Sequence, residues 1–197
     1  MSPSPKDPPA AGEAGSAIEN EFSQEERGLL LKLAHDALAS AFAFRELSPD
    51  LPSAHLAESR GVFTTLYVKG ALRGCVGYAL AVTSLYRGII ETARAAAFDD
   101  PRFAPMSAEE LPEVKVSLSV LSPLRPIAAD EVVVGVHGLL VTMGVRRGLL
   151  LPQVPVEHGW DRIMFLEQTC RKAGLPNDAW KKGAILEAFT AEVFGED

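Results

Sequence analysis

A chain of 197 residues with 47% hydrophobic and 23% charged residues has enough apolar material for one substantial domain, and its usage is that of ordinary globular proteins. Its formal net charge of −7, with Lys and Arg scattered among acidic residues, gives no basic footprint for a nucleic-acid partner, and no apolar run of about 18 residues spans a membrane. Only two cysteines, Cys75 and Cys170, and an N-terminus without signal-peptide patterning predict free thiols in a cytoplasmic setting.

Residues 1 to 20, "MSPSPKDPPAAGEAGSAIEN", are dense in Pro, Ala, Gly and Ser and have little to bury, so a disordered tail is expected ahead of a single domain over 21–197. From Ser23, "SQEERGLLLKLAHDALASAFAF" opens with a capping box at Ser23 and Glu26. It places Leu29, Leu30, Leu33, Ala37, Leu38 and Ala41 at helical spacing, which predicts a long amphipathic helix ending before Pro49. The two prolines of "SPDLPSAHLAESR" mark a connector, with His55 a loop residue. "GVFTTLYVKGALRGCVG" predicts two strands around a Lys69-Gly70 turn, with "LRGCVG" at the exit of the second.

"TSLYRGIIETARAAAF" predicts a helix whose small-residue face, with Leu85, Ile89, Ala93, Ala96 and Ala97, approaches a sheet closely; Pro101 in "DDPRF" stops it. Ser107 and Glu110 form a second capping box over a short helix, and "VKVSLSVLS" alternates Val114, Val116, Leu118 and Val120 with Lys115, Ser117 and Ser119 as a strand with one buried face does. Three more strands are expected at "EVVVGV", "GLLVTMGV" and "GLLLP", the last two joined by an "RRG" turn. "WDRIMFLEQTCRKAG" predicts a helix capped by Asp161 and closed by Gly174, with Ile163, Leu166 and Cys170 on its buried stripe. "AILEAFTAEVF" reads as one alternating final strand, and Trp160 and Trp180 as plugs at the core's edge whose indole N–H groups bond loop carbonyls. Strand runs interrupted by a few helices, without strict βαβ repetition, predict an α+β fold with a mainly antiparallel sheet flanked by helices.

The chemistry-bearing residues gather around Cys75. Gly74 and Gly77 remove Cβ atoms on either side of the thiol, and Arg73 is a candidate cation to stabilise a thiolate. A cysteine nucleophile needs a base, and His137, in the glycine-flanked bend "GVHG", is the candidate among four histidines. Against this, a cysteine in a strand is commonly small core filling, and a histidine beside glycine often caps a turn. Asp99, Asp100 and Arg102 of "DDPRF" either anchor a substrate or tie down a helix end. No CxxC or HxxxH spacing is present, so no metal site is visible among sequence neighbours.

The segments "GVFTTLYVKGALRGCVG", "AAAFDDPRF", "VSLSVLSPL", "GVHGL", "GLLLPQVPVEHGWD" and "FLEQTCRKAGLPNDAW", in that order, resemble the AMMECR family, also called AmmeMemoRadiSam system protein A, from about Phe22 to Phe194. Leu72, Arg73, Gly74, Cys75 and Gly77 match the family motif, with Val76 where isoleucine is usual, while "YALAVTSL" lacks the proline-bearing loop of many bacterial members. The resemblance implies a two-lobed α+β fold, a larger and a smaller lobe, with the glycine-cysteine motif near the cleft between them. The glycine-framed, arginine-adjacent thiol itself motivates the reading of a small-molecule ligand at that cleft, with Cys75, His137 and Arg73 as catalytic candidates and Gly74, Gly77, Asp100 and Arg102 as substrate-binding ones. The resemblance also implies Memo-like and radical SAM proteins as partners, but neither a reaction nor a cofactor. The alternative is a non-catalytic adaptor in which "LRGCVG" serves packing alone.

Overall fold

The computed structural model describes residues 21–47 and 53–196, so the expected tail over 1–20 lies outside the described residues. Helix α1, Gln24–Phe42, starts on the expected capping box: the Ser23 hydroxyl accepts the Glu26 N–H, and the Glu26 side chain accepts the Ser23 N–H. After a 3-10 turn at Ala54–Ala57, the strands β1, Val62–Val68, and β2, Ala71–Tyr78, form a hairpin. Both turn residues have positive φ, Lys69 at 53° and Gly70 at 77°, which matches the right-handed twist of the flanking strands. "LRGCVG" therefore runs through β2 itself and is not its exit.

Helix α2, Leu85–Phe98, buries the predicted stripe Leu85, Ile89, Ala93, Ala96 and Ala97 against this hairpin. Burying Leu85 or Ile89 contributes on the order of 2 kcal/mol each, and the alanines let helix and strand backbones come close. A 3-10 turn at Ala108–Glu113 leads into β3, Val114–Leu121, and the first sheet has the order β2, β1, β3, β8, with β8 at Ala191–Gly195. Helices α1 and α2 share one continuous core with this sheet.

The second sheet has the order β4, β7, β5, β6, from Arg125–Pro126, Ile185–Phe189, Gly138–Met143 and Arg146–Leu150 respectively. A short helix α3, Gln153–Glu157, follows β6, and helix α4, Arg162–Lys172, is capped by the Asp161 side chain and closed at Gly174 with φ 69°. Every strand pairing is antiparallel, and each sheet has its own core, so the fold is α+β as expected. Among the described residues no helix is long and apolar enough to cross a membrane.

Several expectations are corrected. "EVVVGV" is a turn, because Gly135 takes φ 83° and the His137 N–H folds back onto the Val133 carbonyl at 3.0 Å; Val132 plugs the core from it. The β5–β6 turn is Gly144-Val145, two residues before the expected "RRG", because Gly144 supplies the positive φ of 60° and Met143 pairs with Arg146. "AILEAFTAEVF" is two strands in two different sheets, broken at Thr190, whose N–H donates to the Ser122 hydroxyl at 2.9 Å. On α4, Phe165 and Thr169 join Leu166 and Cys170 in the interior while Ile163 is exposed. The Trp180 indole N–H is buried with no partner among the described residues, not bonded to a carbonyl.

Candidate functional site

Alternation gives the edge strand β2 two unlike faces. Toward the helices, a Cβ on Gly74 would overlap the Ala96 carbonyl of α2, Val76 packs on the first core, and the Tyr78 hydroxyl donates to Glu91 at 3.0 Å. On the opposite face Cys75 lies across from Thr65 and Gly77 from Phe63, whose ring fills the space a Gly77 side chain would need.

The β1–β2 register slips between Leu66 and Tyr67, and Arg73 is the residue left without an opposite partner, a β-bulge. Alternation is interrupted there. The Arg73 Nε and Nη2 donate to Glu110 at 2.6 and 3.1 Å, and the Arg73 guanidinium, with the Ser107 N–H behind it, pulls the Glu110 carboxyl down to about 2. Arg73 is thus bound to the 3-10 turn before β3.

The cation beside Cys75 is Arg102. The Cys75 N–H points outward from the sheet and donates to the Asp100 Oδ2 at 2.9 Å, while the Arg102 Nη2 donates to the Cys75 carbonyl at 3.5 Å and to Asp100 at 2.7 Å. Asp100 is only 5% exposed, and the Arg102 guanidinium, followed by the Cys75 N–H, holds its carboxyl well below the usual carboxylate range despite burial. Together the two side chains stand in for the strand that the open edge of β2 lacks. Because its N–H points outward, Cys75 faces Thr65 as a non-hydrogen-bonded pair, the closer kind, and the Thr65 hydroxyl donates to the sulfur at 3.3 Å.

On the face away from the helices, the first sheet floors a cleft of about 390 Å³. Phe63, Thr65 and Tyr67 of β1, Cys75 of β2, Ser117, Ser119 and Leu121 of β3, and Ala191 and Val193 of β8 line it; Leu151 and Gln153 at the start of α3 close the other side. Among the described residues, no lining side chain is charged. The alternating polar row Ser117 and Ser119, legible in the sequence as the unburied half of a strand, is cleft floor, and Thr65 and Gln153 join it with no sequence signal that singles them out.

His137 does not line this cleft. It is buried at the foot of the turn before β5, where the Val133 N–H donates to its Nδ1 at 3.1 Å and the Arg125 guanidinium lies 3.3 Å from its Nε2. Burial and then the Arg125 charge lower its pKa, so the ring stays neutral while it holds the turn. Of the seven site candidates, the structure brings Cys75, Gly74, Gly77, Asp100 and Arg102 together and sets Arg73 and His137 in separate contacts. Cys170 is fully buried in the second half of the molecule, where burial pushes its thiol pKa up.

Residues 31–194 match the family model described as AMMECR1. A Methanopyrus kandleri protein is 41% identical over 185 residues, 88% of this chain and 89% of its own length. A protein from Aquifex aeolicus is 40% identical over 177 residues, 85% of this chain and 91% of its own. The crystal structure of an uncharacterized protein from Pyrococcus horikoshii superimposes with a TM-score of 0.69 at 40% identity, over 85% of this chain and 90% of that one.

Proposed function

Starting from the chain's membership of the AMMECR1 family, we propose that the cleft beside Cys75 binds a small, uncharged molecule that presents one apolar face and several hydrogen-bonding groups. One observation carries this reading: a cleft of about 390 Å³ lined without a single charge, with the Phe63 and Tyr67 rings beside the hydroxyls of Thr65, Ser117 and Ser119. An ionic ligand would meet no counter-charge there, and a purely apolar one would strip water from three hydroxyls without replacing it. A ligand-handling subunit working beside Memo-like or radical SAM proteins is the setting this reading fits.

Retention of small molecules from a cell extract tests it, comparing the native protein with Ser119→Trp, which fills the cleft from a half-buried position. The expected result is a neutral compound, seen by mass spectrometry, retained by the native protein and lost from a variant with an unchanged circular dichroism spectrum. Identical retention by both proteins, or none by either, removes the reading.

Catalysis at Cys75 is a second reading, favoured by the Thr65 hydroxyl on the sulfur and by Arg102 against the Cys75 carbonyl. In a Cys170→Ala background, Arg102→Gln is expected to slow alkylation of Cys75 at neutral pH. Equal rates leave Cys75 as a lining residue of a binding site.

A further inference from the structure

The first sheet has two edges, and only one of them is closed. At β2 the Asp100 carboxylate takes the Cys75 N–H, and Arg102 reaches the Cys75 carbonyl. At the other edge β8 pairs with β3 alone, in an unbroken register. Two bonds just outside the strand fix which way its backbone points. The Ser122 N–H donates to the Thr190 carbonyl at 2.9 Å, and the Glu196 N–H donates to the Val116 carbonyl at 3.1 Å. Alternation then turns the N–H and C=O groups of Glu192 and Phe194 toward β3 and those of Ala191, Val193 and Gly195 outward. A Cβ on Gly195 would crowd Ser117, its opposite on β3, as expected of the closer, non-hydrogen-bonded kind of pair. Among the described residues none of the outward groups has a hydrogen-bond partner.

The usual protections of an edge strand are missing here. β8 carries no proline, lysine or bulge; its one charged residue, Glu192, shares the helix face with Phe194 and is held by Arg27 at 2.7 Å. Val193 is 63% exposed. Beside the strand runs a groove of about 300 Å³, where Ala191 and Val193 meet Pro152 and the 59% exposed Val156 of α3. Glu157 also lines this groove and forms no salt bridge among the described residues.

We propose that β8 is the docking edge for an extended segment of a partner protein, one that alternates aliphatic side chains and carries a lysine or arginine. Added as a fifth strand, such a segment satisfies the outward groups of Ala191, Val193 and Gly195 with its own main chain, and its alternate side chains enter the groove. Its cation answers Glu157. A second copy of this chain lacks that complement: paired about a two-fold axis, its β8 brings only Ala191, Val193 and Gly195 to the groove face, with another Glu157 and no cation. The surface shares Ala191 and Val193 with the cleft beside Cys75 but needs no ligand there.

Amide hydrogen exchange of the full chain, read by NMR with and without a synthetic peptide, tests the proposal. The peptide has nine residues, with lysine at both ends, valine at the third, fifth and seventh positions and threonine between. In the free chain the Ala191, Val193 and Gly195 amides are expected to exchange fast and those of Glu192 and Phe194 slowly; the peptide should protect the first three. Its affinity is expected to fall about tenfold in Val193→Pro, which removes an outward donor at an edge position that accepts proline, and about threefold in Glu157→Lys. N-methyl groups on one alternate set of peptide residues should abolish the protection, while those on the other set leave it intact. Unchanged resonances away from β8 verify that both variants fold. The proposal is overturned by protection elsewhere or none, by indifference to either variant, or by equal binding of the two N-methylated peptides. Protection of the three amides in the free chain overturns it as well: if it grows with protein concentration the edge belongs to a second copy, and if it does not, the chain covers its own edge.

Discussion

The side chain of Cys75 is set by its neighbours' backbones more than by any contact of its own. Gly74 brings β2 against the Ala96 carbonyl, Asp100 takes the Cys75 N–H, and Gly77 makes room for the Phe63 ring in the cleft wall. The two glycines serve opposite faces, so their substitutions should differ in kind. Gly74→Ala forces α2 away from the sheet and is expected to cost about 3 kcal/mol, read as a lowered denaturation midpoint in urea at unchanged slope. A loss under about 1 kcal/mol would mean that the helix relaxes at no expense. Glycine spacing around a cysteine made this crowding legible in the sequence. Which cation stands beside the thiol was not legible, because the bulge at Arg73 breaks the alternation and the Arg102 contact depends on how the "DDPRF" loop folds back to the strand edge.

At the scale of elements, the bulge in β2 is pinned to the 3-10 turn before β3 by the Arg73 and Glu110 pair. Glu110 titrates at about 2 in the fold against an ordinary value of 4.5. A lowered carboxyl pKa adds stability that is fully present above the unfolded value and is lost as pH falls from about 4.5 toward 2. With both side chains partly exposed, the contribution is about 1–2 kcal/mol. Urea unfolding of the native protein and Glu110→Gln should therefore differ by that amount at pH 6, the gap narrowing below about pH 4.5 and closing as the pH approaches 2; a constant gap would assign the difference to packing. Helices α1, α2 and α4 and strands β1 and β3 were readable from capping residues and periodicity, since each buries its own regular stripe, whereas β2 and β5 were readable from strand-forming residues bounded by turn glycines. "EVVVGV" was misread because a run of valines signals burial without saying whether the backbone is extended, and Gly135 decided for a turn.

Across the whole molecule, what the sequence hides is assembly between distant segments. The cleft joins β1, β2, β3, β8 and α3. It is visible in no window of neighbouring residues. The run from Ile185 to Gly195 carries a further implication through its passage between the two sheets: β7 takes an interior place in the second, while β8 is the final strand of the first. Without this run the second sheet would have an unfilled gap between β4 and β5 and the first an unpaired flank on β3, so one continuous segment closes both sheets and ties the stability of one to the other.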